Sequence, residues 1–117
     1  DQGLERLRQI QAAQREDLSN YNVDEFIRHD REFHSCIYEM SLNRELMKLA
    51  SNYYDVFRFL GMQAVMGTEE RRLTTIEEHQ DILEAMEQHN PKAAVQAMKK
   101  HMEQTETNIR RHIKIAP

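Results

Sequence analysis

Asp30 and His34 are four residues apart, and on a helix that spacing sets a carboxylate and an imidazole on one face. The face is apolar, because Phe26, Phe33 and Ile37 share it. His79 falls at helical spacing between Ile76 and Leu83, and His101 follows Ala97 by four residues and Met98 by three. One Asp and three His therefore point inward from three helices. A lone inward histidine is most often a packed core residue. A lone inward carboxylate is costlier, since it needs a cation or several donors around it. Arg28 or Arg31 is the alternative source of that charge if the helix is rotated. Taken together, the four residues favour a metal site, with donors suited to zinc, nickel, manganese or iron.

A count along the chain ties two of the donors together. His79 and His101 lie 11 residues either side of Asn90, where a turn is expected. In an antiparallel hairpin they stand at the same height, each roughly 16 Å from the turn. The other histidines fit less well. His29 points off the apolar stripe, His89 ends a helix and suits its dipole, and His112 lies about three turns beyond His101. All three are read as structural or solvent-facing.

The expected elements follow from apolar periodicity. A first helix over residues 4–16 carries Leu4, Leu7, Ile10 and Ala13 inward. Ser19 to Asn22 breaks it, and Asn22 or Asp24 caps a second helix with Phe26, Ile27, Phe33, Ile37 and Met40 on one face. A third helix over 44–66 has Leu46, Leu49, Tyr53, Phe57 and Leu60 as its stripe. Gly67, Thr68 and the polar stretch to Leu73 read as a connection. Thr74 or Thr75, each three residues before a Glu, then caps a helix lined by Ile76, Ile82, Leu83 and Met86. Pro91 opens the last helix, expected over 92–113, with Ala94, Val95, Met98, Met102 and Ile109 inward. The fold class is all-α, an antiparallel bundle of about five helices with short connections.

Composition agrees. With 3 Gly and 2 Pro among 117 residues, and 31% charged, the chain favours long helices over strands. Its net charge of −4 argues against a phosphate-gripping surface in this chain. The short basic cluster Arg110, Arg111 and Lys114 reads as a solvated face. The single Cys36 excludes an intrachain disulfide and suggests a reducing, cytoplasmic compartment. No apolar run is long enough to span a membrane. The chain opens at Asp1 with residues that already read as helix, so an excised piece of a longer protein is expected.

Enzyme signatures are missing. No Glu stands three residues before a His, as the di-iron bundles require, and no His-Glu-x-x-His occurs. There is no glycine-rich phosphate loop, and no serine sits in a nucleophile motif. The expectation is a protein that is not an enzyme. The rival is a metal-dependent enzyme with Glu78 as general base. The third reading is a metal-free helical interaction domain.

Several segments resemble one family. Asp30-Arg31-Glu32-Phe33-His34 is similar to the Asp-x-x-Phe-His signature of the FadR C-terminal (FCD) domains of GntR-type transcription regulators. Glu78 through Met86 resembles their Glu-His-x-x-Ile-Leu-x-Ala-(Ile/Met) segment. Ala94 to Met98 with His101 and Met102 resembles their closing Ala-x-x-x-Met-x-x-His-Leu segment. Asn43-Arg44-Glu45-Leu46 fits the Asn-x-x-Leu that opens the helix between. The matches run from 30 to 102 in order and with compatible spacing.

The resemblance implies that Asp30, His34, His79 and His101 hold one divalent metal, such as zinc, nickel or manganese. It implies a small organic acid as effector, bound at or beside that metal. It further implies a homodimer whose N-terminal winged helix-turn-helix domain binds operator DNA. On this reading, residues 1–117 are the metal- and effector-binding domain, without the winged domain or the first FCD helix. Arg58 and Tyr54 on the third helix are candidates for contacting the effector's outer end.

Overall fold

The computed structural model describes residues 2–40 and 68–112. They form four helices: α1 (Gln2–Ser19), α2 (Val23–Met40), α3 (Glu69–Glu87) and α4 (Pro91–His112), with no strand among them. The all-α expectation stands, with four described helices where about five were expected. The helix expected over 44–66, including Tyr54 and Arg58, lies outside the described residues. None of the described helices is long and apolar enough to cross a membrane.

Two hairpin turns use the same local device. At the first, Tyr21 takes a left-handed φ of 56°, and the Asn22 N–H reaches back to the Asp17 carbonyl at 2.9 Å. At the second, His89 has φ 53°, and the Asn90 N–H reaches the Ala85 carbonyl at 3.0 Å. Each is a helix C-terminus closed by one left-handed residue, here without glycine. The asparagine that follows then caps the next helix. Asn22 Oδ1 accepts from Glu25 N at 3.2 Å, and Asn90 Oδ1 accepts from Ala93 N at 3.1 Å. Pro91 occupies the first helical position, where its missing N–H costs nothing.

The start of α3 corrects the sequence reading. Thr68, not Thr74 or Thr75, is the N-cap, and its side chain accepts from Arg71 N at 3.3 Å. Glu69 and Glu70 then complement the helix dipole in the first turn. Residues 69–73, expected as connection, are therefore helical. Thr74 turns its hydroxyl back to the Glu70 carbonyl at 2.8 Å, and Thr75 is buried.

α1 packs against α2 and α3, and α3 packs against α4. The main core joins Leu4, Leu7 and Ile10 of α1 to Phe33 and Cys36 of α2 and to Ile82 and Leu83 of α3. Ala97 and Met98 of α4 close it. A smaller cluster pairs Phe26 with Ile76, flanked by Leu18 and Ile27. Along α2 and α3, the two clusters leave a layer between them at Asp30 and His79. Val95, expected inward, is 67% exposed. The buried line of α4 runs instead through His101, Thr105 and Ile109, and Val95 is turned off it.

Candidate metal centre

The polar layer is where chemistry is concentrated. α2 contributes Asp30 and His34 one turn apart, α3 contributes His79, and α4 contributes His101. All four are buried, and one donor atom of each lies within 4.8 Å of the others. His101 Nε2 is 3.1 Å from His34 Nε2, and His79 Nε2 is 3.2 Å from Asp30 Oδ1. His34 Nε2 is 3.8 Å from the same oxygen. Donors about 2.0–2.2 Å from a single ion stand roughly 3 to 4 Å from each other. These three separations fall in that range.

Aromatic packing holds the rings in place. Phe33 lies flat on His79, with centroids 4.1 Å apart and planes within 5°. His34 and His101 stack at 5.0 Å, and His79 meets both edge-on, at 5.1 and 4.8 Å. The hairpin count of the sequence therefore matches the observed pairing of His79 and His101 at one height.

Hydrogen bonds around the layer restrict what each ring can do. His79 Nδ1 is 3.0 Å from Gln14 Oε1, and Gln14 Nε2 donates to the Phe26 carbonyl at 3.1 Å. His101 Nδ1 is 2.6 Å from Glu78 Oε1. Arg71 grips Glu78 with two bonds, Nη1 to Oε2 at 2.9 Å and Nη2 to Oε1 at 3.0 Å, and Nη2 also reaches Thr105 Oγ1 at 3.0 Å. Such a two-pronged pair is the strong form of this contact. Both Glu78 oxygens are engaged, so this carboxylate is placed to orient His101 rather than to act as a general base.

Burial sets the protonation states. It pushes His34 down to about 4, against the pull of Asp30. His79 and His101 are also lowered by burial, opposed by Asp30 and Glu78 respectively. Burial opposes ionisation of Asp30, yet the His79 ring beside it and the charges of the surrounding imidazoles hold its carboxyl well below the usual range. Glu78 is likewise lowered, with His101 and Arg71 outweighing burial. At neutral pH the layer presents neutral imidazoles around one carboxylate. His79 Nε2 is buried, and the group it faces is Asp30 Oδ1 at 3.2 Å.

The residues fit a divalent cation. Three imidazole nitrogens and a carboxylate oxygen form a common transition-metal donor set. With the proton of His79 on Nδ1, toward Gln14, its Nε2 lone pair would face a carboxylate oxygen, an arrangement that a cation relieves. The remaining sequence candidates lie elsewhere. His29 contacts Asp17 across the α1–α2 turn through a short Nδ1–Oδ2 contact. His89 is an exposed turn residue, and α4 ends at His112. Arg28 pairs with Glu25 and Glu32 at the surface and is not the counter-charge of Asp30. Gln14 and Arg71 were not foreseen.

The described residues form a helical bundle with a buried cluster of nitrogen and oxygen donors. The FCD domain family model matches residues 1–104, and the chain belongs to that family. FCD domains are the effector-binding regulatory domains of GntR-family transcription regulators. No curated protein and no solved structure matches the chain.

Proposed function

We propose that the chain senses a small carboxylate metabolite through a divalent metal held by Asp30, His34, His79 and His101. The observation that carries this reading is the convergence of four buried donors from three helices, one donor atom of each within 4.8 Å of the others. A metal there supplies a fixed positive charge inside the bundle. Of its four protein donors only Asp30 is anionic, and Glu78 is neutralised by Arg71. One positive charge is left over, which favours an anion over water at an open coordination position. Zinc, nickel and manganese suit the donor set.

The wider reading follows from the family. Residues 1–117 act as the sensing domain of a cytoplasmic, dimeric GntR-type regulator. Operator DNA is bound by a winged helix-turn-helix domain outside this chain, and the effector changes that binding. Arg58 and Tyr54 remain the proposed contacts for the effector's outer end.

The test is metal content followed by melting curves. About one divalent ion per chain is expected, and carboxylates should raise the melting temperature of loaded but not chelator-treated protein. A ligand 100-fold above its dissociation constant stabilises by about 2.7 kcal/mol, which a melting curve resolves. Full stability without any bound metal after exposure to zinc, nickel and manganese would refute the metal. An equal shift after chelation would move the effector off it.

A further inference from the structure

We propose that Gln14 and Glu78 are positioning residues that decide which ring nitrogen of His79 and of His101 faces the metal. This rests on the metal reading above but concerns residues outside the donor set. A neutral imidazole carries one N–H and one lone pair, so a hydrogen bond at one nitrogen fixes the role of the other.

For His101 the assignment follows from acceptor chemistry. Glu78 Oε1, at 2.6 Å from Nδ1, is a carboxylate oxygen and can only accept. Nδ1 therefore carries the proton, and Nε2 offers its lone pair to the centre. Arg71 keeps Glu78 in place from the far side, and Thr105 keeps Arg71 in place in turn. These are buried groups on α3 and α4, so the assembly also ties those two helices together.

For His79 the argument has one more link. Gln14 is fully buried, and its amide has two ends. The Phe26 carbonyl, at 3.1 Å, accepts only, so it takes the NH2 end. That leaves Gln14 Oε1 toward His79 Nδ1, at 3.0 Å, which must then be the donor. His79 Nε2 is the lone pair directed at Asp30 Oδ1, 3.2 Å away. Two acceptor atoms set face to face favour a cation between them. A main-chain carbonyl of α2 thus sets, through a side chain of α1, the ligating atom on α3. α1 contributes none of the four donors, and Gln14 is its hydrogen-bonded link to them.

Outer partners of this kind change metal affinity roughly 10- to 100-fold. Cobalt(II), whose visible absorption reports donor geometry, is the probe, with affinity measured by chelator competition and metal-free stability measured separately. Gln14→Leu and Glu78→Leu should each weaken cobalt binding at least tenfold and alter the spectrum of the bound ion. Gln14→Glu keeps an acceptor for His79 Nδ1 but removes the donor to Phe26. It should lower metal-free stability while binding cobalt as tightly as wild type or tighter. That opposite movement is foreign to a purely structural role, and the variant serves if the leucine variants fail to fold. Cobalt affinity of Gln14→Glu that falls with its stability overturns the proposal, as do leucine variants within threefold of wild type. Wild-type protein that takes up no cobalt overturns the metal reading itself, and this inference with it.

Discussion

Acid should unfold the metal-free domain through the histidine layer before it reaches the carboxylates. His34 titrates at about 4 in the folded protein, against 6.5 for an unperturbed imidazole. Its folded pKa is the lower one, so between those values the unfolded chain binds more protons and stability falls as pH falls. The contribution is intact above about pH 6.5 and is lost progressively toward pH 4. At pH 4.5 the linkage amounts to about 2.5 kcal/mol for this one group, from 1.36 kcal/mol for each unit between the two pKa values. His79 and His101, lowered in the same direction, add to the loss. Asp30 stays ionised across this window, because its own shift is downward. Against a total of about 5–15 kcal/mol for a domain, the effect is large. Urea unfolding in the presence of chelator, at pH 7.5 and pH 4.5, measures it, with His34→Gln as the reference. The variant should lose about 2.5 kcal/mol less than wild type over that interval. Equal losses in the two proteins would refute the assignment of His34 as a neutral, acid-sensitive core residue.

The remaining predictions concern the donors and the ring behind them. His79→Ala and His101→Ala should each lower metal affinity strongly, whereas His29→Ala and His89→Ala should leave it unchanged; metal titration of the four variants checks this, and equal losses would contradict the observed geometry. Phe33→Ala removes a fully buried ring that lies flat on His79. It should cost about 3–5 kcal/mol of stability in denaturant unfolding, and a loss below 1 kcal/mol would show that the packing around His79 is slack.

Much of the centre was legible because its residues obey helix periodicity while breaking the polarity rule. Asp30 and His34 sit on the Phe26–Phe33–Ile37 stripe, and His79 and His101 are equidistant from Asn90. Polar residues in apolar positions are conspicuous. Gln14 breaks the same rule, but past Ile10 the buried residues of α1 are Gln11 and Gln14, with no buried apolar residue to mark the face. The first helix was read through Ile10 and Ala13, but its buried line also includes Gln11 and Gln14, continuing Leu4 and Leu7 at alternating spacings of three and four. A glutamine has no apolar signature, so only extending that spacing past Leu7 would have found it. Arg71 was lost with the start of α3. Thr74 and Thr75 each satisfy the capping-box spacing, and the choice of Thr68 rests on contacts that propensity alone does not weigh. Val95 and Ala94 are adjacent and cannot both lie on one helix face, and it is Val95 that is exposed while Ala94 is half-buried.

The position of the cluster within the core bears on how binding there would be transmitted to the rest of the domain. Two apolar clusters pack the helices together, one around Phe33 and Ile82, the other around Phe26 and Ile76. Between them sits a layer that gives up apolar packing for four donors, which on their own pay desolvation without full compensation. A cation there would join α2, α3 and α4 at one point, and the bonds from Gln14 would extend the connection to α1. Metal-free and metal-loaded states would then differ at the contact shared by all four described helices. A site hung on one surface loop would leave helix packing indifferent to its occupant. Here, by contrast, a carboxylate bound at such a metal would change the balance of charge in the layer and so act on the packing of the four described helices.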